Sequence, residues 1–384
     1  MLNKETIQKL NNVPTPFYYY DVALLQQTLD KINKEAGKYN FQVHYALKAN
    51  ANSKILQLIK NAGLGADCVS GNEVKAAIEN GFNPQKIVFA GVGKSDEEII
   101  YALKKAIFCF NCESIQEIEV INELAEKNNC KAYIALRINP NVNANTHHYI
   151  TTGLEENKFG INIWELESIT EKLSTLSNIQ LIGLHFHIGS QINDLLPFKS
   201  LCLKVNELQK WFEQRKIHIK HINVGGGLGI NYHEPDKEAI PDFESYFKLF
   251  NDFLEIRPHQ QVHFELGRAI VAQSGTLFSK VLYIKNGIKT NFAILDAGMT
   301  ELIRPALYQA FHKIENVNSD KAPKSYDVVG PICESSDCFG KAVLLPETQR
   351  SDLIAIRSAG AYGEVMASAY NLRNKVKAIY SDEI

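Results

Sequence analysis

Lys48 stands at the end of a predicted strand, just before a turn. The stretch FQVHYALKAN, residues 41–50, alternates large apolar residues with Gln, His, Ala and Lys, a pattern typical of a strand with one apolar face. A lysine there either extends its ammonium into solvent along an apolar stem or serves as an amine that forms a Schiff base. The second role requires a partly desolvated lysine, so its surroundings must decide between the two.

A glycine-rich segment follows another predicted strand, in HINVGGGLGI at 221–230. Gly225 and Gly227 begin the spacing of a dinucleotide-binding turn, but Ile230 occupies the position of the third glycine. A tight strand-to-helix turn would explain these glycines. Bare backbone N–H groups that bind a phosphate would also explain them, and they favour a cofactor with one phosphate over a dinucleotide.

Glu265 ends a further predicted strand, and Arg268 follows it by three residues in ELGR. A carboxylate in this position can pair with a pyridinium nitrogen, and the arginine with an anionic group. An ordinary ion pair is the alternative interpretation.

His185 and His187, in HFHIGS, allow two kinds of site. Two histidines on an inward barrel strand can hold a divalent metal ion, as in metal-dependent hydrolases, with His44 and Asp67 as candidate further ligands. Their order and spacing match no familiar metal site, so we predict no bound metal. A neutral His187 ring could instead stack on a flat aromatic cofactor.

Short apolar strands alternate with helical patterns between residues 40 and 266. Eight β/α units over about 245 residues predict a TIM barrel, and a doubly wound sheet fits so many units less well. The predicted strands are 42–48, 65–69, 86–91, 107–112, 132–138, 181–187, 220–225 and 262–266.

The alternation of apolar and polar residues along the predicted strands supports a barrel with polar groups inside. In 181–187, Ile182, Leu184 and Phe186 would face the helices, while His185 and His187 point inward. Such polar groups would converge near the carboxyl ends of the strands, where barrel active sites lie.

Helical periodicity fades after residue 267. Apolar stretches separated by Gly, Pro, Asn and Asp turns predict an all-β domain, and the strand in PFYYYD, residues 16–21, is expected to join it. The predicted organisation is an α/β barrel at 22–266, with 1–21 and 267–384 forming a β-barrel or β-sandwich domain.

Composition narrows the function classes. The 384 residues are 45% hydrophobic and carry a net charge of −2, which argues against a nucleic-acid or membrane-surface role. No apolar run approaches the roughly 20 residues that span a bilayer, and the N-terminus has no signal-peptide pattern.

Seven scattered cysteines predict reduced thiols in the cytoplasm. Cys109 and Cys112 form a CxxC spacing, but on a strand they would point to opposite faces.

Several motifs together resemble one family. HYALKAN, GADCVSGNE, HFHIGSQ, NVGGGLG, ELGR, DAGMTELIRPALY, GPICESSD and GAYG occur in the order found in the diaminopimelate decarboxylases, over roughly residues 14–372. These enzymes belong to the barrel-type, fold type III branch of pyridoxal phosphate-dependent decarboxylases. The resemblance implies decarboxylation of meso-2,6-diaminopimelate to L-lysine and CO₂, the last step of lysine biosynthesis, by a homodimer with pyridoxal 5'-phosphate.

The resemblance also implies roles for particular residues. Lys48 would hold the cofactor covalently, and Cys333 of one subunit would complete the partner's site as the acid that protonates the carbanion. Cofactor binding is implied for Asp67, His187, Ser190, Gly226, Gly227, Glu265, Gly267, Arg268 and Tyr362. Substrate binding is implied for Arg268, Arg304, Tyr308, Glu334 and Tyr362, and a supporting position around the site for Glu73 and Arg137.

Departures from the family pattern are few. Leu266 replaces the usual proline, and the run after Tyr370 lacks the usual proline-rich ending. A decarboxylase of carboxynorspermidine, arginine or ornithine remains an alternative. Because diaminopimelate carries both an ammonium and a carboxylate at its far end, Glu334 together with Arg304 suits it better. A non-catalytic relative should lack the lysine or the cysteine loop, and both are present.

Overall fold

The computed structural model describes residues 4–142 and 158–384. Strand β1 (Phe17–Tyr20) precedes eight parallel strands that close into a barrel in chain order. These are β2 (Gln42–Ala46), β3 (Gly65–Cys68), β4 (Ile87–Phe89), β5 (Cys109–Cys112), β6 (Ala132–Arg137), β7 (Ile179–His185), β8 (His221–Asn223) and β9 (Gln261–Leu266). The predicted TIM barrel is therefore confirmed.

Helices alternate with these strands. After α1 (Lys4–Leu10) they are α2 (Val22–Gly37), α3 (Ser53–Asn61), α4 (Gly71–Glu79), α5 (Asp96–Lys104), α6 (Ile115–Lys127), α7 (Leu166–Leu173), α8 (Leu196–Gln214) and α9 (Phe243–Phe253). Side-chain caps explain several helix starts: Ser95 and Glu98 form a complete capping box on α5, as their spacing predicts. Among the described residues, no helix is long and apolar enough to cross a membrane.

Six of the eight predicted barrel strands end one or two residues earlier than expected, among them the strands before Lys48 and His187. Strand β2 ends at Ala46, and Leu47–Ala49 forms a 3₁₀ turn in which the Asn50 N–H donates to the Leu47 carbonyl at 3.0 Å. Strand β7 ends at His185. Lys48 and His187 therefore each lie two residues beyond a strand, in the loops that follow the carboxyl ends of the barrel strands.

The orientation predicted for Ile182 is wrong. The pairing of β6 with β7 shifts by one residue at this point, which is the signature of a β-bulge. Ile182 consequently packs with Val88, Cys109 and Ala135 in one apolar cluster instead of facing the helices. The side chains of β7 do not alternate strictly between the two faces here, because the extra residue of the bulge changes which face the next side chain points to.

A chain of three histidines lies among the barrel strands. His44 Nδ1 contacts the Lys86 carbonyl at 3.1 Å, His44 Nε2 contacts His263 Nδ1 at 2.9 Å, and His263 Nε2 contacts His221 Nδ1 at 3.0 Å. A carbonyl only accepts, so each Nδ1 carries the hydrogen along a neutral chain. Burial lowers the pKa of His221 to about 4, and it also lowers the pKa values of His44 and His263.

The remaining strands form a mostly antiparallel sheet. They are β10 (Gly275–Asn286), β11 (Asn291–Leu295), β12 (Ile314–Asn316), β13 (Pro323–Val329), β14 (Cys338–Pro346), β15 (Leu353–Ile356) and β16 (Lys377–Tyr380), with helices α10 (Arg268–Val271) and α11 (Arg304–Tyr308). The order is β12-β15-β10-β11-β13-β14, and β1 pairs with β10 and β16. The predicted β-domain and its N-terminal strand are confirmed.

The chain divides into two compact units. Within the described residues, the barrel unit comprises Leu29–Gly229 and Asp242–Gly267, and the β unit comprises Met1–Thr28, Ile230–Pro241 and Arg268–Ile384. The segment between Ile230 and Pro241 thus groups with the β unit although it lies between β8 and α9 in the sequence.

Candidate active site

Lys48 lies in the loop after β2 and is partly buried. The Tyr45 hydroxyl donates to the Asn50 carbonyl at 2.8 Å and so braces this loop. The positive charge of Lys48 acts on neighbouring carboxyl groups: it lowers the pKa values of Asp67 and Glu265, although burial has the larger effect and opposes it in both. The structure therefore brings the predicted Schiff-base lysine close to the predicted acidic residues of the barrel.

Glu265 is a buried carboxylate with three side-chain donors. Asn111 and Asn223 donate to Oε1 at 3.0 and 2.7 Å, and His185 Nε2 lies 2.9 Å from Oε2. Burial acts to raise the pKa of Glu265, but the charge and hydrogen bond of His185 outweigh it and bring the pKa well below its ordinary value. The site thus holds a permanent anion inside the barrel.

Asp67, on β3, behaves in the opposite way. Burial and the charge of Glu265 raise its pKa well above the ordinary value, and Lys48 only partly compensates. Its Oδ1 atom is buried and has no hydrogen-bond partner among the described residues. A buried polar atom without a partner is costly, so this carboxyl group suits a site that a polar ligand completes.

His187 follows β7 and is neutral. Burial, with smaller effects of the charges of Lys48 and Arg137, lowers its pKa well below the ordinary value. The Gly226 N–H donates to His187 Nδ1 at 3.3 Å, which leaves the hydrogen on Nε2. An uncharged ring in this loop can stack on a flat aromatic group.

The glycine segment after β8 could not carry side chains. A Cβ on Gly226 would lie 1.9 Å from the Glu265 carbonyl, and one on Gly227 would lie 2.7 Å from the Gly189 carbonyl. Gly227 also has a φ of +108°, which favours glycine. The segment lies against residues 189–192, where Ile192 pairs with Leu228 in an isolated bridge, and Ser190 is half-buried there. The two loops therefore pack too closely to admit side chains at Gly226 and Gly227.

A supporting cluster surrounds Arg137, on β6. Its Nη1 donates to Glu113 Oε1 at 2.5 Å, and its guanidinium lies 4.7 Å from the centre of the Phe159 ring. The other carboxylate oxygen of Glu113 accepts from the Gly160 N–H at 2.8 Å. Glu73, predicted to support the site, accepts from the Val69 N–H at 2.7 Å, and its charge is one of the smaller effects that raise the pKa of Asp67.

Two predicted arginines meet in the β unit. Arg268 and Arg304 are both buried, and the Nη1 atom of each donates to the Tyr232 hydroxyl oxygen, at 2.6 and 2.8 Å. The guanidinium of Arg268 also lies 4.9 Å from the centre of the Tyr362 ring. Tyr308 is half-buried at the end of α11.

Cys333 and Glu334 lie exposed on the loop between β13 and β14. The Cys333 N–H donates to Asn371 Oδ1 at 3.4 Å, and the Tyr370 hydroxyl donates to Glu334 Oε1 at 2.8 Å. Within the described residues, no hydrogen bond or ion pair joins Glu334 to Arg304.

Three buried residues that hold predicted site residues were not themselves predicted. Asn111 and Asn223 bind Glu265, and Glu113 binds Arg137. The sequence places Asn223 on the inward face of its strand, as it does His185, but neither amide has a motif that marks its partner. Tyr232 was missed for the same reason.

The metal alternative has little support in the geometry. His185 commits Nε2 to Glu265, and both ring nitrogens of His44 are engaged in the histidine chain. Across residues 4–142 and 158–384, no group of three or more His, Cys, Asp or Glu side chains is arranged to hold a metal ion.

Comparison with known proteins decides the family. A family model described as the pyridoxal binding domain of pyridoxal-dependent decarboxylases matches residues 22–272. A diaminopimelate decarboxylase of Bacteroides thetaiotaomicron is 58% identical over 379 residues, covering 98% of this chain and 98% of that protein. The chain belongs to the diaminopimelate decarboxylase family.

Other members of the diaminopimelate decarboxylase family are also similar to this chain over nearly its full length. The Vibrio cholerae protein is 41% identical over 373 residues, covering 97% of this chain and 88% of that protein. The crystal structure of diaminopimelate decarboxylase from Helicobacter pylori complexed with L-lysine is 39% identical, has a TM-score of 0.92, and covers 98% of this chain and 94% of that one. The resemblance is thus confirmed, and the protein is an amino-acid decarboxylase of the pyridoxal-dependent class.

Proposed function

We propose that the protein decarboxylates meso-2,6-diaminopimelate to L-lysine and CO₂ with pyridoxal 5'-phosphate. The observation that carries the cofactor chemistry is the buried, ionised Glu265, which His185, Asn111 and Asn223 hold by hydrogen bonds. An anion so placed suits a protonated pyridine nitrogen. The substrate is proposed from relatives that are named for it and match nearly the full chain.

The residues present fit this cofactor. Lys48 would hold it covalently, and the neutral His187 ring would stack on its plane. Ser190, Gly226, Gly227 and Gly267 would surround the phosphate, and side chains at the three glycines would collide with neighbouring atoms and displace these loops. The unpartnered Oδ1 atom of Asp67 leaves a buried polar atom for a further hydrogen bond to the cofactor. When bound, pyridoxal phosphate supplies an electron sink for the electron pair released as CO₂ leaves.

Glu265 would keep that sink effective. Its low pKa means that it stays ionised across the physiological range, so it can hold a proton on the ring nitrogen by charge-assisted hydrogen bonding. Asn111 and Asn223 would fix the carboxylate in one orientation, because both donate to the same oxygen. His185 would hold the second carboxylate oxygen of Glu265 by its own hydrogen bond.

We assign the substrate-binding roles to Arg268, Arg304, Tyr308, Tyr362 and Glu334. Arginine recognises carboxylate and phosphate groups through planar, charge-assisted hydrogen bonds, and a carboxylate recognises the distal ammonium. Arg304 is available for this role, since it forms no ion pair with any carboxylate that the structure describes. The meso substrate needs both signs of charge at its far end, whereas ornithine needs only an anion there.

Cys333 is proposed as the acid that returns a proton to the α-carbon, contributed by one subunit of a homodimer to the site of its partner. Its exposure on the β13–β14 loop supports this role, because an exposed side chain can reach a second copy. Burial raises the pKa of Asp337, whose carboxylate accepts from the Met299 and Ile332 N–H groups at 2.6 and 2.7 Å and anchors the same loop. The cytoplasmic location remains a prediction.

An absorbance spectrum of the purified protein tests the cofactor assignment. We expect a band near the visible edge, and borohydride treatment should fix the cofactor to Lys48. Lys48→Ala should lose the label and all turnover, while Lys60→Ala, which changes an exposed lysine on α3, should keep both. A labelled protein after the Lys48→Ala change would contradict the assignment.

A substrate panel tests the reaction. CO₂ release from meso-diaminopimelate should exceed release from ornithine, arginine and carboxynorspermidine by at least about 100-fold in kcat/KM, since an unmatched buried charge is strongly rejected. Faster release from any of the other three would replace this substrate with that amino acid.

A further inference from the structure

The hydroxyl oxygen of Tyr232 lies between two buried guanidinium groups. Tyr232 is 7% exposed, as is Arg268, and Arg304 is 6% exposed. The oxygen accepts one hydrogen bond from each arginine, at 2.6 and 2.8 Å. Two charge-assisted hydrogen bonds to one atom hold the ends of both side chains at a common point.

A histidine completes the geometry around Arg304. His312 Nδ1 lies 2.9 Å from the Arg357 carbonyl, so it carries the hydrogen, and the free lone pair on Nε2 accepts from Arg304 Nη1 at 3.1 Å. The two hydrogens of Arg304 Nη1 thus have two defined acceptors, Tyr232 and His312. The remaining nitrogens of the guanidinium are left for other partners.

The rings add a second kind of contact. The guanidinium carbon of Arg304 lies 5.3 Å from the centre of the Tyr232 ring, and that of Arg268 lies 6.0 Å away. The His312 ring meets Tyr232 edge-on, with centroids 5.1 Å apart. Cation–π attraction and hydrogen bonding therefore both hold the two cations to Tyr232.

These contacts oppose an unfavourable arrangement. Two guanidinium charges at one point repel each other, and burial weakens the screening by water. Burial acts to raise the pKa of Tyr232, but the charges and hydrogen bonds of Arg268 and Arg304 outweigh it and bring the pKa below its ordinary value. The hydroxyl oxygen carries a partial negative charge, and its position between the two guanidinium groups offsets part of their repulsion.

We propose that Tyr232 is a positioning residue that holds the guanidinium groups of Arg268 and Arg304 together for binding anionic groups of the ligand. The proposal rests on the proposed function, which assigns both arginines to such groups. Tyr232 acts through the arginines and has no part in the chemical step. It therefore sets the affinity for the substrate more than the rate of turnover.

Steady-state kinetics with diaminopimelate test this role in Tyr232→Phe. We expect KM to rise about tenfold or more, with kcat within about threefold of wild type, because the lost acceptor frees two donors without altering the reacting groups. Tyr246→Phe is a matched control: Tyr246 is fully buried, and its hydroxyl has no hydrogen-bond partner among the described residues. It should leave both constants unchanged.

Two kinetic results would overturn the proposal. One is an unchanged KM in Tyr232→Phe. The other is an equal rise in KM in Tyr246→Phe, which would show that loss of any buried hydroxyl has the same effect.

A second measurement needs no substrate and no folded Tyr232 variant. The absorbance of ionised phenol at about 295 nm, followed up to about pH 10, should be lower in Arg304→Gln than in wild type, because removal of one cation beside Tyr232 raises the pKa of its hydroxyl. Tyr18 and Tyr246 contribute nothing there, since burial raises their pKa values. Identical titrations would overturn the proposal.

Failure of the proposed function has a different signature. A wild-type protein that releases no CO₂ from diaminopimelate would refute the substrate assignment. The phenol titration would still show whether Tyr232 and the two arginines act as a unit.

Discussion

Glu265 and His185 are joined across the barrel interior by a hydrogen bond of 2.9 Å, although their strands, β9 and β7, are not neighbours. Strand β8 lies between them and contributes Asn223 to the other carboxylate oxygen. The bond is therefore a property of the closed barrel and its inward side chains. It explains how a carboxylate that is 7% exposed remains ionised.

Replacement of Glu265 by Gln tests the effect of its negative charge, because glutamine has nearly the same shape without the charge. We expect kcat to fall about 100-fold or more, a loss typical of removing a preorganised electrostatic partner, while Lys48 still retains the cofactor. CO₂ release and the visible absorbance band measure the two effects separately. His185→Gln, which keeps an N–H donor, should have a milder effect than His185→Phe. Full turnover in Glu265→Gln would show that the carboxylate has no catalytic role.

Addition of one methyl group in the glycine segment should be costly. In Gly226→Ala the new Cβ would lie 1.9 Å from the Glu265 carbonyl, so the backbone must shift. We expect a loss of about 1–3 kcal/mol in the free energy of unfolding, together with weaker binding of pyridoxal phosphate. Urea unfolding and cofactor titration measure these quantities.

Gly93→Ala is the matched control for this substitution. A Cβ at Gly93 would have no atom within 4 Å, so its stability and cofactor affinity should equal those of wild type. Equal behaviour of the two variants would contradict the close packing of the glycine segment.

The histidine chain should make stability depend on pH. The pKa of His221 is about 4 in the folded protein, below its ordinary value of 6.5, so between these values the unfolded chain binds more protons. The free energy of unfolding therefore rises with pH between these two values. Outside this range, His221 does not change the dependence of stability on pH. Urea unfolding at pH values from 4 to 7 should show a shallower rise in His221→Asn than in wild type.

An exposed histidine provides the control for this pH dependence. His218→Asn, a change just before β8, should keep the wild-type slope. If His221→Asn also kept that slope, the neutral state of the chain would not be the source of the acid sensitivity.

Cys333 and Lys48 should complement each other between subunits. Lys48→Ala and Cys333→Ala are each expected to abolish most turnover, because in the proposed dimer each site would combine a lysine from one chain with a cysteine from the other. Random mixing should place one intact site in each mixed dimer and restore about a quarter of the wild-type activity. Activity assays on the mixture after subunit exchange measure this. No recovery in mixed dimers would place Cys333 in the site of its own chain.

The sequence was most informative where local patterns repeat. Eight alternating β/α signals predict the barrel, and strand parity directs His185 and Glu265 inward before any contact is known. The sequence also indicates functional roles for motif residues such as Lys48 and the glycines after β8. Their chemistry depends on the type of residue and on its position next to the end of a strand. Helix starts such as Ser95 follow from local capping rules.

Contacts between distant segments were decided only by the tertiary structure. Asn111 and Asn223 meet on one oxygen of Glu265 because barrel closure brings their strands together, and no local pattern encodes that pairing. The bulge at Ile182 reverses a parity that depends on pairing with β6. Tyr232 likewise gains its role from two arginines that lie 36 and 72 residues away in the chain. Side-chain types and periodicities are local, whereas a hydrogen bond between strands depends on register and closure, which the whole fold sets.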